Sequence, residues 1–307
     1  MNDARIRIGT ASWTDPTLLA CGRFYPPQVD DAAARLAYYA SQFTMVEVDA
    51  SYYALPDPLT AYRWAQRTPA DFVFNLKAYR LFTGHGARAE ALPADLRREL
   101  PATQGTLYYR HVPPAIRREL WARFLQAAEP LRQAGKLGLL HFQFAPWIRP
   151  DRAGHAHIAH CIEMAEGLPC AIELRQHEWL APPRQAQTLA FERDLGAAHV
   201  VVDAPQGFDN TVPAVWATTR DDLAVVRLHG RNAVNWNAPA SAASSGRFQY
   251  EYSAEELAEL ARRTRKLAAR LRDGQVHVVL NTNYQDQGVR NARGFRQVLA
   301  PQAGPPA

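Results

Sequence analysis

The feature that most constrains the fold is the regular alternation of short strand-like runs with segments of helical periodicity. Eight runs rich in β-branched and other apolar residues are separated by segments whose apolar residues recur every three or four positions. The predicted strands are 5–9, 44–49, 72–77, 137–143, 170–175, 199–203, 224–229 and 276–281. The predicted helices include 30–43, 58–67, 115–133, 155–166, 183–195 and 254–272.

This order predicts an α/β fold built around a parallel sheet. Eight β/α units within 307 residues fit a TIM-type (β/α)8-like barrel better than an open doubly wound sheet. No Gly-x-Gly-x-x-Gly follows the first strand, so a dinucleotide site is not predicted. We therefore expect a single barrel domain with loop insertions over residues 1–300, and a disordered tail rich in Pro, Gly and Ala over 301–307.

Polar residues stand near the C-terminal ends of the apolar strands, where barrel enzymes carry their active sites. Because side chains alternate between the two faces of a strand, Glu47 and Asp49 share the face opposite Val46 and Val48. The side chains predicted by this alternation to point into the barrel are Glu47, Asp49, Ser51, Asn75, Lys77, His141, Gln143, Glu173, Arg175, Asp203, Arg227, His229, Asn281 and Asn283. The sequence thus predicts a polar pocket at the barrel mouth.

Carboxylates, an imidazole and cations at one site point to acid–base chemistry on an anion. Glu47, Glu173 and His229 are the proton-transfer candidates, and Lys77 and Asp203 complete the candidate catalytic set. Arg175, Arg227 and Arg231 are the candidate ligands for the negative charge, and Arg231 follows strand seven, where many barrels bind phosphate. Fold analogy alone suggests a hydrolase, lyase or isomerase. The aromatic residues expected at the rim include Trp13, Tyr53 and Trp236.

Three alternatives remain open for these charged residues. They can simply neutralise one another, Glu47 or Asp49 with Lys77 and Glu173 with Arg227. Lys77 can form a Schiff base if its ammonium is desolvated. A divalent metal can bind the carboxylates and imidazole listed last here: Glu47, Glu173, Asp203 and His229. The metal is not favoured, because neighbouring cations can neutralise the carboxylates without it, and no cofactor is identified.

The charge and composition of the chain narrow the classes of ligand that it is expected to bind. The net charge of +5 and the pI of about 9.2 favour anions. A small anionic ligand is the first expectation, and a nucleic acid bound by arginines and aromatic rings is the alternative. The three cysteines show no Cys-x-x-Cys spacing, and no apolar stretch approaches the ~20 residues of a membrane span. We expect a cytoplasmic protein without membrane contact.

Several motifs together resemble one known family. They are Ile8-Gly9-Thr10-Ala11-Ser12-Trp13, Val46-Glu47-Val48-Asp49-x-Ser51-Tyr52-Tyr53, Glu173-Leu174-Arg175-x-His177-x-Trp179, Arg227-x-His229-Gly230-Arg231 with Trp236, and Asn281 followed by Asn291-Ala292. The chain resembles the YecE-like family, domain-of-unknown-function family number seventy-two. The resemblance implies a TIM-like barrel and no settled reaction. It implies that the matching positions, including Asp49, Tyr53, His177 and Asn281, belong to a shared pocket.

The leading hypothesis is an enzyme that acts by acid–base chemistry on a small anion, phosphate- or sugar-containing, at the barrel mouth. A protein that binds or processes nucleic acid is the alternative.

Overall fold

The fold is a barrel of eight parallel strands. The computed structural model describes residues 6–100, 105–237 and 244–300. The strands are β1 (Ile6–Thr10), β2 (Met45–Val48), β3 (Val73–Lys77), β4 (Leu137–Gln143), β5 (Cys170–Glu173), β6 (Ala198–Asp203), β7 (Leu223–Leu228) and β8 (Gln275–Leu280). Their order is β1-β8-β7-β6-β5-β4-β3-β2, and every paired neighbour is parallel. The predicted TIM-type barrel is confirmed, and the tail 301–307 lies outside the described residues.

Helices alternate with the strands and cover the outside of the barrel. They are α1 (Pro16–Cys21), α2 (Ala32–Gln42), α3 (Ala50–Tyr53), α4 (Pro58–Gln66), α5 (Ala94–Arg98), α6 (Pro114–Gln133), α7 (Arg152–Glu163), α8 (Gln185–Asp194), α9 (Ser244–Arg247), α10 (Ala254–Ala268) and α11 (Gln287–Leu299). Short 3-10 turns add Ala89–Ala91, Tyr109–His111 and His177–Trp179. Ser253 and Glu256 begin α10 with a capping box. Among the described residues, no helix is both long enough and apolar enough to cross a bilayer.

The barrel closes between β1 and β2 with help from a tyrosine. The Tyr39 hydroxyl of α2 accepts from the Thr10 amide at 2.7 Å and lies 3.2 Å from the Met45 carbonyl, so it bridges the two strands. A Cβ atom on Gly9 would lie 2.0 Å from that same carbonyl oxygen, so only glycine permits this close approach. Further up, the Ser12 amide donates to the Glu47 carbonyl at 2.9 Å. The closure fixes β2, and with it Glu47, relative to the rest of the barrel.

Residues of one parity lie at different heights inside the barrel. At the bottom, His277 Nδ1 lies 3.0 Å from the Asn75 side-chain oxygen, and Gly138 leaves room for this pair. Burial, followed by the charge of Arg7, lowers the pKa of His277 to about 3. Above this pair lies a layer of buried charges, and above that layer the mouth opens. The barrel interior is therefore polar in successive layers, and only the uppermost layer reaches solvent.

Candidate active site

A cavity of about 740 Å³ occupies the mouth at the C-terminal ends of the strands. Its walls combine cations, carboxylates, amides and aromatic rings. The polar and aromatic side chains include Lys77, Arg175, Arg247, Asp15, Asp49, Gln143, Asn210, Asn281, Asn283, Tyr52, Tyr53, His85 and Trp147. Of the residues that the sequence singled out, Asp49, Tyr53, Lys77, Arg175 and Asn281 line this cavity.

The other predicted proton-transfer residues lie beneath the cavity floor. Glu47, Glu173, Arg227 and His229 are each fully buried, with 0% of their surface exposed. Arg227 donates to both carboxylates, through Nη1 to Glu173 and through Nη2 to Glu47 at 2.7 Å. His141 lies between the same carboxylates, with Nδ1 3.0 Å from Glu47 and Nε2 3.2 Å from Glu173. These residues, which we call the buried charge layer, form ion pairs with one another, and Nε of Arg227 is buried without a hydrogen-bond partner in the described residues.

The charges of this layer are fixed by its own contacts. Burial alone would raise the pKa of Glu47, but Arg227, His141 and Lys77 outweigh it and lower that pKa to about 2. The pKa of Glu173 is likewise held well below its usual range, because Arg227 and His229 oppose the effect of burial. Burial lowers the pKa of His229 to about 3, despite the opposing charge of Glu173. At neutral pH the layer therefore holds two carboxylates, one guanidinium and a neutral His229.

The neutral His229 determines how Asn281 is oriented. Nε2 of His229 lies 3.1 Å from a carboxylate oxygen of Glu173, and a carboxylate only accepts, so Nε2 carries the hydrogen. Nδ1 then has a free lone pair and accepts from Nδ2 of Asn281 at 2.8 Å. Gln143 also donates its Nε2 to Glu173, at 2.6 Å. Each amide donates one N–H to the floor, and its carbonyl oxygen accepts no hydrogen bond among the described residues.

An ion pair stands in the cavity wall above this floor. Nζ of Lys77 donates to Oδ1 of Asp49 at 2.6 Å, and Nζ lies 4.7 Å from the centre of the Tyr52 ring. The Asp49 side chain is 24% exposed and that of Lys77 is 9% exposed, so the carboxylate is the more accessible partner. Asp49 and Lys77 are therefore the acid–base groups that a ligand in the mouth would meet.

Two arginines share one buried tryptophan on another wall. The guanidinium of Arg175 lies 5.3 Å from the Trp236 ring centre and that of Arg247 lies 5.7 Å away. Arg175 donates to Glu173 at 3.0 Å, whereas Arg247 has no carboxylate within ion-pair distance in the described part of the chain. Burial, followed by the charge of Arg175, lowers the pKa of Arg247. Arg247 is thus a partly buried cation beside a second cation, without a counter-charge among the residues that the structure describes.

A histidine at the rim of the cavity lies near several of these cations. His85 lines the cavity, and its pKa falls to about 3, first through burial and then through Lys77, Arg80 and Arg175. Arg80 lies 5.3 Å from the Tyr52 ring centre, and its Nε is buried without a hydrogen-bond partner in the described residues. The wall between Lys77 and Arg175 is therefore electropositive.

The remaining predicted residues lie away from the cavity lining. Arg231 donates to Asp203 at 2.8 Å and to Glu256 at 2.8 Å, and Tyr252 donates to Asp203 at 2.7 Å. Arg231 and Asp203 line a separate cavity of about 420 Å³. The charge of Arg231 is already matched by two carboxylates.

Three more predicted residues act beside the mouth or support it. Trp13 is buried and packs edge-on against Trp64, with ring centres 5.5 Å apart. His177 begins a 3-10 turn, and its Nδ1 lies 3.3 Å from the Thr211 carbonyl. Trp236 is fully buried and supports Arg175 and Arg247 from below.

The candidate metal ligands do not converge. Arg227 takes the position between Glu47 and Glu173 that a cation would need, and Asp203 faces Arg231 instead. Within the described ranges, no three His, Cys, Asp or Glu side chains are arranged to hold a metal ion. The donor set in the buried charge layer is thus matched to a guanidinium.

Sequence reasoning missed Arg247, Arg80 and His85 as parts of this site. Arg247 ends α9, which follows a stretch rich in Ala and Ser, and Arg80 and His85 lie in the loop after β3. None of them belongs to a strand, so side-chain alternation carries no information about them. Ser12 also lines the cavity, with a φ of 88° that side chains rarely adopt.

Comparison with known proteins agrees with the architecture and the motifs. The family described as "Protein of unknown function DUF72" matches residues 7–306. The chain belongs to the DUF72 family. It is 30% identical over 296 residues to the UPF0759 protein YunF of Bacillus subtilis (strain 168), covering 96% of this chain and 94% of YunF. The resemblance noted from the sequence is confirmed, since YecE-like is another name for DUF72.

Solved DUF72 structures share the barrel. A DUF72 family protein from Enterococcus faecalis V583 superposes with a TM-score of 0.77 at 26% identity, over 97% of this chain and 96% of that chain. One from Thermotoga maritima MSB8 gives a TM-score of 0.75 at 25% identity, over 96% of this chain and 99% of that chain.

Proposed function

We propose that this DUF72 protein is an enzyme that binds a small organic anion in the barrel mouth and acts on it by acid–base chemistry. The observation that carries the proposal is Arg247, a partly buried guanidinium beside Arg175 with no carboxylate to neutralise it in the described structure. A buried or half-buried cation is costly unless a counter-charge joins it. A bound anion between Arg175 and Arg247 would supply that counter-charge.

The acid–base step is assigned to Asp49 and Lys77. Asp49 is a partly exposed carboxylate that lines the mouth beside Lys77, and it accepts a proton from the ligand. Lys77, 2.6 Å from it, stabilises the negative charge that then develops on the ligand. Glu47, Glu173 and His229 hold the floor in place beneath this pair, because their contacts within the buried charge layer leave them no access to the ligand.

Removing Arg247 is expected to weaken binding of inorganic phosphate about tenfold, since hydrogen bonds to charged groups contribute roughly 1.5–3 kcal/mol. The measurement is a calorimetric titration of wild type and Arg247→Met at constant ionic strength. Arg118→Met is the matched control, because Arg118 is exposed on α6, outside the cavity. Equal affinity of all three proteins for phosphate would contradict the proposed anion site.

Replacing Asp49 with asparagine is expected to lower catalysed proton exchange by about 100-fold or more, the usual contribution of a general base. In deuterium oxide, an enzyme that removes a proton from carbon returns a deuteron, which adds one mass unit to the ligand. Wild type and Asp49→Asn are incubated with a panel of hydroxy acids and sugar phosphates and compared by mass spectrometry. Exchange that persists in Asp49→Asn, or its absence from wild type across the panel, would contradict the catalytic assignment.

One observation favours a second candidate, a protein that binds a longer polyanion. A cavity of about 600 Å³ adjoins the mouth across Trp147 and is lined by Arg110, Arg117 and Arg149 beside Tyr108 and Tyr109. Arginines next to aromatic rings are suited to single-stranded nucleic acid. Titrating oligothymidylate alongside phosphate separates the two candidates. Binding of the polymer that weakens steeply with salt, together with weak phosphate binding, would favour the second.

A further inference from the structure

We propose that the anion bound in the mouth is polyhydroxylated, a sugar acid or a sugar phosphate. The inference rests on the proposed function and goes further, because it identifies the chemistry of the uncharged part of the ligand. It follows from the hydrogen-bonding groups that the cavity leaves unused.

Two amides of the floor each keep an unused acceptor. The Nε2 of Gln143 is bound to Glu173 at 2.6 Å, and the Nδ2 of Asn281 is bound to His229 at 2.8 Å. Their carbonyl oxygens accept no hydrogen bond from any residue in the described structure. The side-chain oxygen of Asn283 is also buried without a partner there, while its Nδ2 donates to Asp15 at 3.4 Å. Two amide oxygens of the cavity lining, those of Gln143 and Asn281, thus lack donors, whereas the oxygen of Asn283 is closed off from solvent.

Asp49 adds a third acceptor. One of its carboxylate oxygens is bound to Lys77, and the other accepts no hydrogen bond among the described residues. A ligand that satisfies this side of the cavity must bring several donors. Ammonium groups would meet the positive field of Lys77 and Arg175, which line the same cavity, and of Arg80 beside Tyr52. Hydroxyl groups donate without carrying charge, so they fit both the acceptors and the field.

The two arginines beside these acceptors set where the acid group lies. Arg175 and Arg247 provide guanidinium donors, which match carboxylate or phosphate oxygens. At the rim, Tyr53 is 52% exposed and Trp147 is 54% exposed, so their rings can cover the apolar C–H face of a sugar. The ligand thus has an acid group at the arginines and hydroxyl groups toward Gln143, Asn281 and Asp49.

Matched probes separate the hydroxyl groups from the charge. Gluconate and hexanoate have the same chain length and the same carboxylate, whereas sorbitol has the hydroxyl groups without the acid. Glucose 6-phosphate, compared with inorganic phosphate, tests the phosphate source of the charge. We expect gluconate or glucose 6-phosphate to bind at least about tenfold more tightly than its unhydroxylated counterpart, because several hydrogen bonds are added.

Two variants locate the effect. Gln143→Met and Asn281→Ala are each expected to weaken binding of the hydroxylated anion about tenfold. The affinities for hexanoate and inorganic phosphate are expected to stay unchanged. Thermal midpoints without ligand check that both variants are folded. Equal affinity for gluconate and hexanoate, and for glucose 6-phosphate and phosphate, would overturn this inference and leave the anion site intact. Sorbitol binding as tightly as gluconate, unaffected by Arg247→Met, would instead contradict the anion site itself.

Discussion

Replacing Arg227 with methionine is expected to lower the free energy of unfolding by about 3–5 kcal/mol, the cost of removing one partner from a buried ion pair. Arg227 is fully buried and hydrogen-bonds to Glu47 and Glu173, both of which are also fully buried. Without the guanidinium, two carboxylates would remain close together in the barrel interior. Urea unfolding at pH 7 measures the loss.

Two controls make this result specific to the buried charge layer. Arg132→Met removes a guanidinium from an exposed pair with Glu129, and it is expected to cost less than about 1 kcal/mol. Adding Glu47→Gln and Glu173→Gln to Arg227→Met removes the uncompensated charges and is expected to restore much of the stability. A loss in Arg227→Met no larger than that in Arg132→Met would show that the layer does not depend on its arginine.

Acidification is expected to destabilise the protein from about pH 6.5 downward, well above the range in which ordinary carboxylates titrate. The pKa values of His229 and His277 fall from 6.5 to about 3 in the folded protein. The unfolded chain therefore binds protons first, so this stabilisation is complete above pH 6.5 and is lost as the pH falls toward 3. Between pH 7 and 4 we expect a loss of roughly 3 kcal/mol for each histidine.

Glu47 extends the effect to lower pH. Its folded pKa of about 2 lies below the ordinary 4.5, so its contribution is complete above pH 4.5 and is lost between there and pH 2. Urea midpoints from pH 8 to pH 4 measure the histidine part. The pKa of His85 also falls to about 3, so His277→Gln removes one of three such imidazoles and is expected to flatten the slope by about a third. A flat profile between pH 7 and pH 5, or an unchanged slope in His277→Gln, would contradict the assignment.

The alternation of side chains predicts which strand residues point inward, but it does not predict their height. Glu47 pairs in register with Asn75, whereas Lys77 pairs with His141 and Gln143 pairs with Glu173. Neighbours in register nevertheless differ in depth, since Lys77 and Gln143 line the cavity whereas His141 and Glu173 are fully buried. Because the register depends on how the whole barrel closes, the sequence alone does not distinguish a floor residue from a cavity residue.

The residues contributed by loops were the least predictable. The position of Arg231 after strand seven predicts an anion ligand, whereas the structure pairs Arg231 with Asp203 and Glu256. Arg247 reaches the cavity from a short helix, and its guanidinium lies 5.7 Å from the Trp236 ring centre. Strand number, strand bounds and inward-facing residues follow from local periodicity, whereas contacts between distant loops do not.

We propose that Arg175 and Arg247 give the barrel mouth its affinity for anions. The most direct test of this proposal is a phosphate titration of the double variant Arg175→Met/Arg247→Met against wild type and Arg118→Met at fixed ionic strength, with folding checked by thermal midpoint. We expect phosphate to bind saturably to wild type and to Arg118→Met, and we expect the double variant to lose this binding. Phosphate affinity in a folded double variant equal to that of wild type would contradict it.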